Sequence, residues 1–125
     1  MAWGSDFAKA CAHALVLASV CGSVQAAPYN VKGQVEYVRT HDPAQFPTWT
    51  PPRFWFSLKG ITSVGTCAKF GTSVLLVAND KQELAFVLSA QASGQEIEAY
   101  LDDTVLTNGF CTATYVTIGN PAPTN

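Results

Sequence analysis

The first constraint on the fold is an apolar segment at the N-terminus. Residues 10–24 consist almost wholly of Ala, Leu, Val, Ser, Gly and Cys. An apolar segment this short, followed by small residues, is typical of a secretion signal, whereas a transmembrane helix needs about 20 apolar residues. We therefore predict a signal peptide over residues 1–26, cut after Ala26, no membrane span in the mature chain, and a periplasmic or secreted location.

Two alternatives remain open for this segment. It would also suit a buried core helix. In addition, the sequence Ala-Ser-Val-Cys at residues 18–21 resembles a lipidation signal, although Val20 occupies a position where Gly or Ala is expected. Lipidation at Cys21 would anchor the mature protein to a membrane.

The cysteines indicate one disulfide. Cys11 and Cys21 lie in the predicted signal peptide, so the mature chain keeps only Cys67 and Cys111. An even cysteine count in an exported chain favours a disulfide, and closing a loop of roughly 45 residues contributes about 4 kcal/mol of stability. Two cysteines and one mature histidine, His41, are too few for a tetrahedral zinc site, so we predict no metal and no cofactor.

The charge of the chain argues against nucleic-acid partners. The sequence contains 7 Lys and Arg against 9 Asp and Glu, a formal net charge of -2. The positive charges form no cluster along the chain. Binding to nucleic acid or to an anionic membrane depends on clustered positive charge, so we expect neither.

The mature chain contains five segments typical of strands. Alternating or continuous apolar residues and aromatic residues mark them, at residues 31–37, 53–58, 72–78, 96–101 and 110–118. Four prolines make residues 41–52 a loop. Residues 102–109 are predicted to form a turn with Asn108-Gly109 at its tip.

One helix is predicted between the third and fourth strands. Asp80 and Glu83 form the pattern of a capping box, and Gly94 is a typical C-terminal stop about 13 residues further on. Leu84, Val87 and Leu88 follow at helical spacing and would form its apolar face.

This order of elements predicts the architecture. Five strands with one helix between strands 3 and 4 is the order of an OB-fold barrel, and a half-open α+β sandwich fits it almost as well. We predict one mostly β domain over residues 27–119 and a disordered tail over residues 120–125.

Several segments resemble a known family. Residues 82–101, QELAFVLSAQASGQEIEAYL, resemble the helix and following strand of the B subunit of subtilase cytotoxin. The layout is similar too, with an aromatic strand at residues 54–58, then Cys67, and Cys111 at the start of the last strand. The chain also resembles small exported bacterial proteins of unknown function.

The resemblance implies an OB-fold with one disulfide. In the toxin, five B subunits form a ring that binds host glycans and carries an enzymatic A subunit. No glycan-binding residue of the family can be aligned with a particular position of this chain.

The sequence indicates no catalytic residues. His41 and Asp42 are neighbours in a proline-rich loop, whereas a nucleophile and its base converge from different elements. Asp102 and Asp103 are adjacent on a strand end and would point in opposite directions. We therefore expect a loop residue exposed to solvent at His41 and turn-capping roles for the two aspartates.

Aromatic residues are the candidates for ligand binding. Carbohydrates present C–H faces that stack on aromatic rings, with polar groups fixing their orientation. The candidates are Phe46, Trp49, Trp55 and Tyr100. Packing is the alternative for two of them, with Trp55 in the core or in an interface and Trp49 holding the long loop on the barrel.

These observations predict an exported, non-enzymatic binding or interaction protein of the bacterial envelope, with a glycan or an envelope protein as partner. The alternative is the glycan-binding B subunit of an AB5-type toxin assembly, which would be a homo-oligomer.

Overall fold

The computed structural model describes residues 28–119. The predicted signal peptide, with Cys21, and the predicted tail lie outside the described residues. The elements are β1 (Pro28–Arg39), a 3₁₀ turn (Pro47–Trp49), β2 (Phe54–Leu58), β3 (Lys69–Phe70), β4 (Ser73–Val74), β5 (Leu76–Ala78), α1 (Lys81–Ser93), β6 (Glu96–Thr107) and β7 (Phe110–Ile118). The prediction of a mostly β domain with one helix is confirmed.

Five of the strands pair in the closed order β1-β2-β5-β7-β6, and β3 and β4 form a separate hairpin. The β5–β7 pairing is parallel and consists of two residue pairs, while register shifts interrupt β1–β2 and β6–β7. The ring of strands is therefore irregular. In chain order, α1 lies between the third and fourth strands of the ring.

The core fills the inside of this ring. All five residues of β2 are buried, and the rings of Phe54 and Phe56 stack with centroids 5.9 Å apart. The helix adds Val87 and Ala90 to the same core. Burial of such apolar side chains stabilises the fold by roughly 25 cal/mol per Å² removed from water.

The predicted disulfide between Cys67 and Cys111 is confirmed. It joins the loop before β3 to the second residue of β7. The same loop is held by Asp103, whose Oδ2 accepts from the Thr66 backbone N–H at 3.3 Å and whose backbone oxygen accepts from the Thr66 hydroxyl at 3.1 Å. The disulfide is compatible with an exported location.

Helix α1 begins and ends at the predicted residues. Oδ1 of Asp80 accepts from the backbone N–H groups of Gln82 at 2.6 Å and Glu83 at 3.2 Å, and Gly94 has the left-handed φ of 70° that favours glycine. Its buried face differs from the prediction, because Leu88 is 47% exposed and Ala90 is buried instead.

The turn predicted over residues 102–109 is much shorter in the structure. β6 continues to Thr107, and only Asn108 and Gly109, with φ of 52° and 83°, form the tip. The register of β6 against β7 shifts between Asp102 and Leu106, and the polar residues that suggested a turn lie in this irregular part of the strand.

Candidate functional site

A groove of about 330 Å³ opens between the C-terminal half of β1 and the β3–β4 hairpin. Its lining consists of Glu36, Tyr37, Arg39, Trp55, Phe70, Gly71, Thr72 and Ser73. We call it the Glu36 groove. Its volume lies at the lower end of the range of small-molecule sites, about 300–1,000 Å³.

A β-bulge turns Glu36 toward this groove. Val35 pairs with Leu58, but Tyr37, two residues on, pairs with the adjacent Ser57, so Glu36 is the extra residue. Bulges redirect side chains and are frequent beside binding and active sites. After the bulge, Val38 packs against the core and Tyr37 faces outward.

Two hydroxyl groups hold the Glu36 carboxylate in place. Its Oε2 accepts from the Ser73 hydroxyl at 2.9 Å and from the buried Ser57 hydroxyl at 3.4 Å. Its Oε1 accepts no hydrogen bond from residues 28–119. Glu36 therefore presents an oriented acceptor, and a fixed acceptor costs a ligand less ordering than a mobile one.

Aromatic rings form the apolar part of the groove. Tyr37 is 55% exposed and Phe70 is 59% exposed, while Trp55 lies deeper, at 5% exposure. The Trp55 and Phe70 ring centroids are 6.1 Å apart, and the guanidinium carbon of Arg39 lies 4.9 Å from the Trp55 ring centroid. The groove thus combines an acceptor, donors and aromatic surface.

A second aromatic cluster adjoins Trp55 and centres on His41. The His41 ring stacks on Trp49 at 5.2 Å, meets Phe46 edge-on at 5.2 Å, and lies 6.4 Å from Trp55. His41 is half-buried rather than freely solvated as predicted, and its Nδ1 has no hydrogen-bond partner among residues 28–119. Desolvation by burial, and secondarily the Arg39 charge, lower the pKa of His41.

The structure brings three of the four predicted aromatic candidates together. Trp55 lines the Glu36 groove, and Trp49 and Phe46 adjoin it through His41. Trp49 also packs against the cluster of Trp55, Leu75 and Val77. Tyr100 lies outside the groove and stacks on Tyr115 with centroids 4.9 Å apart. A ligand-binding role for the four residues stays a prediction.

The sequence prediction missed most of the groove. Glu36 and Tyr37 were assigned to a regularly alternating strand that ended at residue 37, before Arg39. Phe70 and Ser73 were assigned to no site. One available signal was Val38, an apolar residue directly after Tyr37 that breaks the alternation. Another was Gly71-Thr72 between two short segments, which is typical of a tight hairpin.

The other candidate polar residues have local structural contacts. Asp102 accepts hydrogen bonds from the Thr104 hydroxyl at 2.6 Å and the Thr104 backbone N–H at 2.8 Å, which lower the pKa of Asp102. Asp103 holds the disulfide loop, as described above. Within residues 28–119, no group of three or more His, Cys, Asp or Glu residues is arranged to hold a metal ion.

Comparison with known proteins adds no relative. No protein-family model, curated protein or solved structure matches this chain significantly. Across the described part of the chain, no helix is long and apolar enough to cross a membrane.

Proposed function

We propose that this chain is an exported, non-enzymatic binding protein of the bacterial envelope with an OB-fold, and that it binds a polyhydroxylated ligand, such as a terminal sugar, in the Glu36 groove. The observation that carries the proposal is the Glu36 carboxylate, which two serine hydroxyls orient beside exposed Tyr37 and Phe70 rings. A mature domain that begins at Ala27 would carry this groove intact.

The chemistry of a sugar suits each part of this groove. Its hydroxyl groups would donate to the free Oε1 of Glu36, and a charged acceptor makes hydrogen bonds roughly twice as strong as a neutral one. Its C–H face would pack on Tyr37 or Phe70. A single small unit is the ligand we expect, because the cavity is at the lower end of known site volumes.

The subtilase cytotoxin B-subunit-like family supplies the alternative, a glycan-binding subunit of a toxin ring. The resemblance over residues 82–101 and the two cysteines support it. Light scattering on oxidised protein separates the readings, because a ring requires a molar mass near five chains and a free binding protein a mass near one.

A glycan array tests the sugar-binding proposal. Oxidised protein starting at Ala27 should bind a subset of glycans, and Glu36→Gln should weaken that binding at least about ten-fold, since it removes a charged hydrogen-bond acceptor. Glu98→Gln is the matched control, because Glu98 is a half-exposed carboxylate of β6 that does not line the groove.

Thermal unfolding of both variants should stay close to that of the parent protein, so that lost binding reflects the groove. Absence of any glycan bound by the parent protein would overturn the proposal. Equal binding by the parent and by Glu36→Gln would show that the ligand binds elsewhere.

A further inference from the structure

Trp55 is the largest ring in the Glu36 groove, yet it is almost inaccessible. Only 5% of its surface is exposed, although its neighbours Tyr37 and Phe70 are more than half exposed. One face of the indole carries the guanidinium of Arg39, with the central carbon 4.9 Å from the ring centroid. Leu75 and Val77 pack against Trp55 in a buried cluster, and Arg39, a side chain of the same groove, covers one face of the ring that would stack best on a ligand.

Arg39 is held loosely in this position. It is an exposed residue at the end of β1, and within residues 28–119 its guanidinium makes no hydrogen bond or salt bridge. Arg53 differs, since its guanidinium donates to Asn79 Oδ1 at 2.9 Å and also to the Thr48 backbone oxygen. An exposed cation–π contact favours the bound position by only about two- to five-fold.

We infer that the Arg39 side chain covers Trp55 in the free protein and is displaced when a ligand ring stacks on the indole. This inference rests on the proposed function of the groove. Once displaced, the guanidinium supplies up to five N–H donors at the groove that already holds the acceptor Glu36. A ligand must then have both a flat apolar face and hydrogen-bonding groups, which gives the groove its selectivity.

The cover can be tested without any ligand. The sequence has three tryptophans, and a chain starting at Ala27 with Trp49→Phe keeps only Trp55. In this background, Arg39→Ala should raise the acrylamide quenching constant of Trp55 fluorescence at least about two-fold, and Arg39→Lys should give an intermediate value. Lys32→Ala, which removes an exposed cation from the other half of β1, is the control and should change nothing. Unchanged quenching in Arg39→Ala would overturn the cover.

Displacement is tested by NMR of the Arg39 side chain. In the free protein the ring current of Trp55 should shift the Arg39 Hε signal upfield, and Trp55→Leu should abolish that shift. Methyl glycosides of glucose, galactose and N-acetylglucosamine are the probes. A glycoside that perturbs Glu36 and Tyr37 should also return the Arg39 signal toward its free-arginine position.

The outcomes separate this inference from the proposed function. A glycoside that perturbs Glu36 and Tyr37 but leaves Arg39 shifted upfield would overturn the displacement while supporting the binding site. If none of the three glycosides perturbs the groove, a glycan bound on the array replaces them as the probe. If the array also shows no bound glycan, sugar binding and the displacement both fail, and the quenching result alone decides whether Arg39 covers Trp55.

Discussion

At the scale of single residues, Gly65 is the glycine within residues 28–119 that leaves the least space for a side chain. Its φ of 42° is left-handed, and an added Cβ would overlap the Asp103 carboxylate and lie 2.9 Å from the Tyr29 ring. We expect Gly65→Ala to lower the free energy of unfolding by roughly 2–3 kcal/mol, from backbone strain and the displaced Asp103. Urea denaturation measures this loss.

Gly71→Ala is the matched control for this prediction. Gly71 also has a positive φ, 64°, but an added Cβ would have nothing within 4 Å. It should cost about 1 kcal/mol from backbone strain alone. An equal loss of unfolding free energy at the two positions would mean that the overlap with Asp103 and Tyr29 adds no destabilisation.

His41 should make stability depend on pH at the same scale. Burial and Arg39 lower the pKa of His41 below its ordinary value of 6.5 in the folded protein. The unfolded chain therefore takes up the proton first as the pH falls. Stability is unaffected well above pH 6.5, and declines as the pH falls from about 6.5 through the folded pKa.

The comparison that isolates this effect is His41→Phe, which keeps an aromatic ring between Trp49 and Phe46. The thermal midpoint of the parent protein should fall more steeply between about pH 7 and pH 5 than that of the variant. Glu83 acts in the opposite direction, because burial and then Asp80 raise the pKa of Glu83, but it is present in both proteins. Parallel pH profiles would contradict the prediction.

At the scale of elements, α1 depends on its N-terminal cap. Asp80 accepts two backbone N–H groups that have no partner within the helix. Asp80→Ala should therefore lower the free energy of unfolding by about 1 kcal/mol. Asp80→Asn should retain most of the stability of the parent protein, since asparagine caps a helix about as well as aspartate. If both substitutions cost the same, the charge of Asp80 rather than the cap geometry would be the stabilising feature.

The elements also show what sequence patterns determine. The caps of α1 are local, so Asp80 and Gly94 were found from the sequence alone. The bulge at Glu36 and the continuation of β6 to Thr107 depend on pairing with strands that are distant in the sequence. The alternation of residues along one strand carries no information about that pairing. The groove follows from that bulge and from the β3–β4 hairpin beside it, which is why most of its residues were missed.

At the scale of the whole molecule, the shortest strand pairing of the ring coincides with the disulfide. The β5–β7 pairing consists of Leu76 with Cys111 and Val77 with Thr112. Cys111 is therefore both a residue of this short pairing and the anchor for the loop that carries Cys67. The groove depends on the same loop, because the β3–β4 hairpin follows directly after it.

The cross-link should therefore dominate global stability. Its cysteines are 44 residues apart, and closing such a loop contributes about 4 kcal/mol by loop-entropy arithmetic, a large share of the stability of a small domain. We expect dithiothreitol to lower the urea midpoint of the parent protein strongly. The double variant Cys67→Ala/Cys111→Ala should show the lowered midpoint from the start and no response to dithiothreitol, which excludes a general effect of the reductant. A parent midpoint that does not move on complete reduction would show that packing alone closes the ring at β5 and β7.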